Sequence, residues 1–341
     1  MKIVPVQEAV GMVLCHDITQ IVPDKFKGRA FKKGHIVQRE DIPRLLDIGK
    51  ENLYVWEINQ DLLHEDDAAL RIARAAAGSG IKLTEPREGK VNLVAEGMGL
   101  LKVNTDGLYR INEMEEVMFA TLHTNQIVYE DKILAGTRII PLVIQEKKIR
   151  NIETLCALNY PIVEIKPFKS LKVGVVTTGS EVYHGRIQDK FGPVVAKKVE
   201  SWGSYVFRQI FVPDSTERIA EAINTLLREG AEMVTVTGGM SVDPDDLTPA
   251  GIKAAGGRIV TYGAPTLPGA MFMVAYIGNV PVLGLPGCVM YHGSSIFDLV
   301  VPRILAGEEI TRKDIIALGH GGLCVKCTPC RYPDCGFGKG G

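Results

Sequence analysis

LKVGVVTTG, residues 171–179, is an apolar, valine-rich run closed by threonine and glycine, and it reads as a strand buried inside a sheet. The pattern repeats downstream with helices between the repeats. After a polar loop, GPVVAKKVESWG (192–203) reads as a helix, and SYVFRQIFVPD (204–214) as a strand that ends at Pro213-Asp214. Ser215 is placed to cap TERIAEAINTLLREG, where Ile219, Ala222, Ile223, Leu226 and Leu227 share one helical face. AEMVTVTGG (231–239) is again strand and loop, and DDLTPAGIKAAGG (245–257) a short helix. GRIVTYGA, MFMVAYIG and VPVLGLPG supply three more strands, and MYHGSSIFDLVVPRILAG (290–307) closes as a helix that Pro302 should bend. Strand and helix alternating at these spacings specify βαβ units, and hence a doubly wound α/β sheet covered on both faces over residues 171–309.

Three glycine loops, Thr178-Gly179, Thr237-Gly238-Gly239 and Pro286-Gly287, each follow one of the buried strands. In such a sheet, ligands bind beyond the carboxyl ends of the strands, where backbone donors and helix N-termini gather. No G-x-G-x-x-G follows the first strand and no G-x-x-x-x-G-K-[ST] is present, which argues against a dinucleotide fold and a phosphate-loop NTPase. The same strand ends carry Glu181, Asp214, Asp243, Asp245 and Asp246. Taken singly, each has an ordinary explanation: a turn after Pro213 for Asp214, a solvated loop for Glu181, a helix cap for Asp245 or Asp246. Taken together, carboxylates beside anion-binding glycines are favourable when a hard cation such as Mg2+ lies between the like charges.

The rest of the chain divides by composition. At 341 residues and 46% hydrophobic content it exceeds one compact core, and 39 basic against 40 acidic residues leave a net charge of -1. That balance points to no nucleic-acid partner. MKIVPVQEAVGMVLCHDIT has no basic segment followed by a long apolar one, and no apolar run reaches the roughly 18 residues of a membrane helix, so a cytoplasmic protein without a membrane partner is expected. Residues 1–60 read as a small α+β unit with a helix from Asp41 to Gly49. Residues 61–168 read as a helix from Asp66 to Gly78 followed by a mostly-β domain, in which LVAEGMGLLKV, GLYRI, IVYE and GTRIIPLVIQ are strands and Asn112 to about Leu122 is a helix. The boundary before the α/β domain falls at Pro167–Ser170.

Residues 310–341 form a Cys-rich tail: Cys324, Cys327, Cys330 and Cys335 in the pattern C-x2-C-x2-C-x4-C. In a reducing compartment this spacing suits four thiolates on one soft metal centre, an iron-sulfur cluster or a zinc ion, better than disulfides. The closing GFGKGG is flexible by composition.

With these residues in view, 172 to about 307 resembles the molybdopterin-binding domain shared by molybdopterin molybdenumtransferases, molybdopterin adenylyltransferases and the competence-damage-inducible family. Thr178-Gly179-Ser180-Glu181, Val212-Pro213-Asp214, Thr237-Gly238-Gly239-Met240-Ser241-Val242 and Leu285-Pro286-Gly287 occur in the expected order. The resemblance implies a three-layer α/β/α fold. It also implies a site in which Thr178, Gly179, Ser180, Thr237, Gly238, Gly239, Ser241, Pro286 and Gly287 bind molybdopterin or its adenylate. Glu181, Asp214 and Asp246 would be catalytic, with Asp214 and Asp246 holding Mg2+. Gly-Gly-Met-Ser-Val with Asp246, and β-containing domains placed before the α/β domain, are closest to the molybdenumtransferases, which implies molybdate insertion with release of AMP by a homodimer. Other cofactor-assembly proteins or molybdoenzymes are the implied partners. Phe191-Gly192-Pro193 and Pro244-Asp245-Asp246-Leu247-Thr248-Pro249 look more like the other two groups, so the sequence is a hybrid.

Departures bear on the chemistry. The family's N-terminal Ser-x-x-Asp-Gly-Tyr-Ala has only Phe26-Lys27-Gly28-Arg29-Ala30 as its nearest match, without the acid. Thr-Gly-Asp-Glu-Leu is here Thr178-Gly179-Ser180-Glu181-Val182, Pro-Gly-Lys-Pro is Pro268-Gly269-Ala270-Met271, and Pro-Gly-Asn-Pro is Pro286-Gly287-Cys288-Val289. Backbone donors survive such changes; the charge count around a metal and an oxyanion does not. Lys197, Lys198 and Arg186 are the nearby cations that could receive the oxyanion, and the helix face of Lys197 and Lys198 could equally be solvated. Alternatives are a non-catalytic cofactor carrier or sensor, an adenylyltransferase, and a nucleotide pyrophosphatase.

Overall fold

The computed structural model describes residues 2–22, 26–55, 61–241, 243 and 246–340. The chain forms two compact units, both discontinuous in sequence: one runs to Val94 and adds Asn104–Thr121 and Ile133–Val163, the other joins Ala95–Val103 and Leu122–Lys132 to everything from Glu164 onward. Among the described residues no helix is long and apolar enough to cross a membrane.

The second unit is built on a six-stranded sheet. Its strands are β1 (Lys172–Thr178), β2 (Tyr205–Val212), β3 (Met233–Thr237), β4 (Arg258–Tyr262), β5 (Met273–Ile277) and β6 (Val280–Leu285), in the spatial order β2-β1-β3-β6-β5-β4. β2, β1, β3 and β6 pair in parallel, whereas β5 and β4 are antiparallel. Every residue of β3 is buried, and so are Val173 to Thr178 of β1, which is why these stretches are uncharged throughout and do not alternate with solvated positions.

Helices cover both faces: α1 (Ser180–Tyr183), α2 (Phe191–Ser201), α3 (Thr216–Arg228), α4 (Thr248–Ala254), α5 (Cys288–Tyr291), α6 (Ile296–Leu305) and α7 (Arg312–Ala317). Val176, Val234 and Val236 meet Ile219, Ile223 and Leu226 of α3 and Ile252 of α4. On the opposite face Val175 and Leu283 share a core with Val195 and Val199 of α2 and Phe297 and Val300 of α6. The result is the expected three-layer α/β/α domain. Gly174 shows how closely the layers approach, because a Cβ there would lie 2.8 Å from the Leu226 side chain. Ser215 caps α3 through Arg218 N–H at 3.3 Å, and Pro302 lies inside α6.

In the first unit, Lys2–Pro5 pairs with Asn52–Val55 and a hairpin joins Ile18–Val22 to Phe26–Phe31. With the helix Asp41–Asp47 they enclose a core that includes Val4, Leu14, Phe31 and Leu45. A four-stranded antiparallel sheet runs in the order Ile81–Leu83, Lys90–Ala95, Ile133–Ile139, Val117–Thr121.

Three elements here differ from the sequence reading. GLYRI is not a strand but part of the helix Thr105–Asn112, whose N-terminus Asn104 caps through Gly107 N–H at 3.0 Å and which buries Leu108 and Ile111. The helix expected from Asn112 to Leu122 is instead the strand Val117–Thr121, paired with Ile133–Ile139. A further helix, Glu146–Leu158, continues directly from a three-residue strand and is bound to Glu65–Ala76 by Arg71, which donates to Glu153 (2.7 Å) and Glu146 (3.0 Å).

The tail also corrects an expectation. It is packed on the second unit: Cys324 N–H donates to Leu267 O and Leu267 N–H to Gly322 O, both at 2.8 Å. Tyr332 donates to Asp298 O at 2.7 Å, Phe337 is buried, and Gly338 N–H reaches Gly321 O. Apolar anchors in a glycine-rich stretch outweigh its intrinsic freedom. Two earlier segments join this unit through charge: Lys102 to Glu308 at 2.6 Å, and Lys132 and Gln126 to Asp334, each at 2.9 Å.

Candidate functional site

Parallel pairing of β1, β3 and β6 releases all three glycine loops at the same edge of the sheet. Two of them interlock. Gly238 (φ +88°) stands so close to β1 that a Cβ would lie 2.4 Å from Thr178 O and 2.7 Å from Thr178 Oγ1. Gly239 (φ +52°) would bring one to 3.0 Å from Thr248 Oγ1. The left-handed backbone and the close approach both require glycine. Thr248, at the start of α4, donates its hydroxyl to Gly238 O (2.9 Å) and its N–H to Gly239 O (3.2 Å), which fixes the loop against a helix N-terminus.

Beneath this loop Thr178 Oγ1 is buried without a hydrogen-bond partner among the described residues. Buried polar atoms are nearly always paired, so an orphan beneath two left-handed glycines calls for an explanation. Its neighbour Thr177 is satisfied, accepting from Gln209 Nε2 (2.8 Å) and standing 3.2 Å from the Thr237 hydroxyl. Gln209 also donates to Asp189 (2.6 Å), whose other carboxylate oxygen accepts from Phe191 N–H (2.8 Å) at the start of α2. This Asp189–Gln209–Thr177 chain was missed in the sequence. Its available signal was an aspartate two residues before a helix start.

The carboxylates fall into distinct roles. Asp214 Oδ2 accepts from Ser180 N–H (2.9 Å) and Ser180 Oγ (3.1 Å), which anchors the turn after Gly179 to the end of β2. Asp246 Oδ2 accepts from Asp243 N–H (2.8 Å), and Asp246 N–H returns to Asp243 O (3.0 Å), closing the loop on itself. Tyr262 donates to Ser241 O at 3.4 Å, and burial with the nearby Asp246 charge pushes its hydroxyl above the usual tyrosine range. Glu181 is exposed on α1, Pro286 is buried, and Gly287 is exposed at the start of α5. Asp245 lies outside the described residues. Among the described residues no group of three or more His, Cys, Asp or Glu side chains is arranged to hold a metal ion, the four tail cysteines included.

Two further side chains take structural positions. Lys198 is held by Asp298 at 2.6 and 2.7 Å, with side chains only 15% and 6% exposed, so its charge is already matched. Burial pushes the Cys288 thiol up, as expected of an inert side chain at a helix start. Lys197 and Arg186 are exposed.

A family model described as a probable molybdopterin binding domain matches residues 174–306, and one described as a domain of unknown function matches residues 3–57. The molybdopterin adenylyltransferase of Pyrococcus furiosus is 30% identical over 95 residues, covering 28% of this chain and 56% of that protein. The molybdopterin molybdenumtransferase of Haemophilus influenzae is 28% identical over 161 residues, 45% of this chain and 39% of the relative. A CinA-like protein of Citrifermentans bemidjiense is 38% identical over 87 residues, 25% and 21% of the respective chains. The matched part thus spans between 21% and 56% of these curated relatives. The solved tungsten cofactor synthesizing protein MoaB from Pyrococcus furiosus covers 41% of this chain and 97% of its own, at 23% identity and a TM-score of 0.35.

Proposed function

We propose that this chain, the bearer of a molybdopterin-binding domain over residues 174–306, acts in molybdenum-cofactor assembly by binding adenylylated molybdopterin at the carboxyl edge of its sheet and inserting molybdate with release of AMP. The observation that carries the reading is the unpartnered Thr178 hydroxyl under two left-handed glycines. A phosphate oxygen seated on that loop, with the glycine backbone shifted off the hydroxyl, would satisfy it.

Asp246, Asp214 and Glu181 offer the oxygen donors that a hard cation takes, one or two carboxylates with substrate phosphate and water, although among the described residues they are not grouped to hold one. Mg2+ bound there would neutralise phosphoanhydride charge. The residues themselves have separate tasks: Asp214 holds Ser180 and the Gly179 turn in place, and Asp246 keeps the 243–246 loop closed beside Tyr262. We read the tail cysteines as ligands of a soft metal, apart from this chemistry.

Incubation with adenylylated molybdopterin, Mg2+ and molybdate tests the proposal: AMP should appear in proportion to molybdate. Tight pterin binding with no AMP at any molybdate concentration would favour a carrier or sensor instead. One observation supports that second reading, since Lys198 is committed to Asp298 and Ala270 stands where the resembled family has lysine. Hydrolysis of simple dinucleotides without pterin would point to a pyrophosphatase.

A further inference from the structure

We propose that Cys324, Cys327, Cys330 and His292 together bind one zinc-type divalent ion, with Cys335 outside the ligand set. The inference rests on the reading of the tail as a soft-metal site and is independent of the pterin chemistry. A cavity of about 240 Å3 is lined by these three cysteines, His292, Gly293 and Ser294, and Cys335 is not among its lining residues.

The backbone around the first two thiols is shaped for ligation. Lys326, between the cysteines of the first C-x2-C, has φ +53°, and its N–H points at Cys324 Sγ at 3.4 Å. Arg331 N–H points at Cys327 Sγ at the same distance. Both amides are thus turned toward sulfur in the free chain.

The third thiol reaches the cavity because residue 293 is glycine: a Cβ there would lie 3.1 Å from Cys330 Cβ and 3.3 Å from its Sγ. Cys330 also approaches the Ser294 hydroxyl at 3.7 Å. His292, directly before that glycine, lines the same cavity. The wall is fixed, because Cys324 is paired to Leu267 and Tyr332 to Asp298.

The sulfurs are not gathered at ligand distance. Cys324 and Cys327 are half-buried and Cys330 is exposed, so binding an ion requires their side chains to turn toward the shared cavity. Three thiolates and one imidazole form a closed tetrahedral zinc set, whereas iron-sulfur clusters prefer four thiolates. Each ligand cysteine loses its proton to solvent as the ion binds, so binding should weaken at low pH.

The test uses the full-length protein, purified without oxygen, stripped with a chelator and titrated with Co2+ and then Zn2+. Wild type should bind one equivalent, with cobalt absorption of a three-thiolate, one-imidazole tetrahedral site. C335S should keep both stoichiometry and spectrum. H292A should bind at least about tenfold more weakly, and H292C should regain affinity with bands shifted to those of a tetrathiolate; this rescue separates ligation from a folding defect. Loss of binding in C335S with an unchanged H292A would overturn the ligand set while leaving a metal tail intact. No Co2+ or Zn2+ bound by wild type would overturn both, and iron with acid-labile sulfide in the isolated protein would overturn the zinc assignment.

Discussion

Replacing Thr178 by valine separates a ligand-facing hydroxyl from a structural one. The two side chains have nearly the same shape, and the site is only 4% exposed at the end of a buried strand, so packing is conserved. Because Oγ1 has no partner among the described residues, the free protein carries the penalty of a buried unsatisfied polar group, about 1–3 kcal/mol. Valine removes it. Thr178→Val should therefore be stabilising without ligand, by up to about 1–2 kcal/mol, or several degrees in Tm at roughly 2–4 °C per kcal/mol for a unit of this size. Binding should move the other way. A hydrogen bond to a charged phosphate contributes about 1.5–3 kcal/mol, so affinity for adenylylated molybdopterin should fall roughly 10–150-fold. Urea unfolding of the free protein and calorimetric titration measure the two effects. A variant destabilised by more than about 1 kcal/mol with unchanged affinity would refute the reasoning, because the hydroxyl would then be satisfied within the protein and remote from the ligand.

Gly238→Ala adds a Cβ 2.4 Å from Thr178 O in left-handed backbone; strain of about 1–2 kcal/mol plus overpacking of about 1–3 should be visible as a lowered urea midpoint, and an unchanged midpoint would mean the loop relaxes. Asp298→Ala leaves Lys198 buried without its carboxylate and strips Ser295 N–H and Oγ of their acceptor, and should cost about 3–5 kcal/mol; adding Lys198→Met should recover the part due to the unpaired charge while the loss of the cap persists in the same unfolding measurement. Burial pushes the Asp314 carboxyl up, but hydrogen bonds from Thr311 and Arg303 outweigh it and hold it at about 2, below its ordinary 3.8. A depressed carboxyl stabilises fully above its unfolded value and loses that contribution as pH falls through the folded one. Asp314→Asn should accordingly flatten the decline of stability between about pH 4 and 2, and an unaltered decline in acid titration would exclude this pair as its source.

The α/β domain was legible because its central strands are buried on both faces: Met233, Val234 and Val236 of β3 are separated only by threonine, and no charged position interrupts them to suggest a half-solvated element. Caps were legible where the capping residue is adjacent in sequence, as at Ser215. The helix Thr105–Asn112 was not, since a glycine in its first turn lowers its intrinsic preference, and what stabilises it there is contact with Ile162, whose side chain a Cβ on Gly107 would meet at 2.6 Å. In the site, the glycine loops announced themselves through composition. The partners of the charged residues did not, because Lys198 and Asp298 lie 100 positions apart and Ser180 and Asp214 lie 34 apart. The packing of the tail was hidden for the same reason: Phe337 and Tyr332 become anchors only against a surface made elsewhere.

The interrupted course of the second unit has a consequence for the order of events at the ribosome. Lys132 and its partner Asp334 are 202 residues apart, which at roughly 5–20 residues per second is about 10–40 s of synthesis. Early in that interval Gly99–Val103, Ile127–Val128 and Val163–Pro167 can pair as a three-stranded sheet, while the six-stranded sheet and the tail of the same unit have yet to emerge. The first unit closes around Val163 well before, so nascent chains should pass through a stage in which one half is finished and a small sheet still awaits the rest of its unit. Chaperone dependence during production should therefore concentrate in that window, and refolding of the complete chain, where every segment is present from the start, should need less assistance.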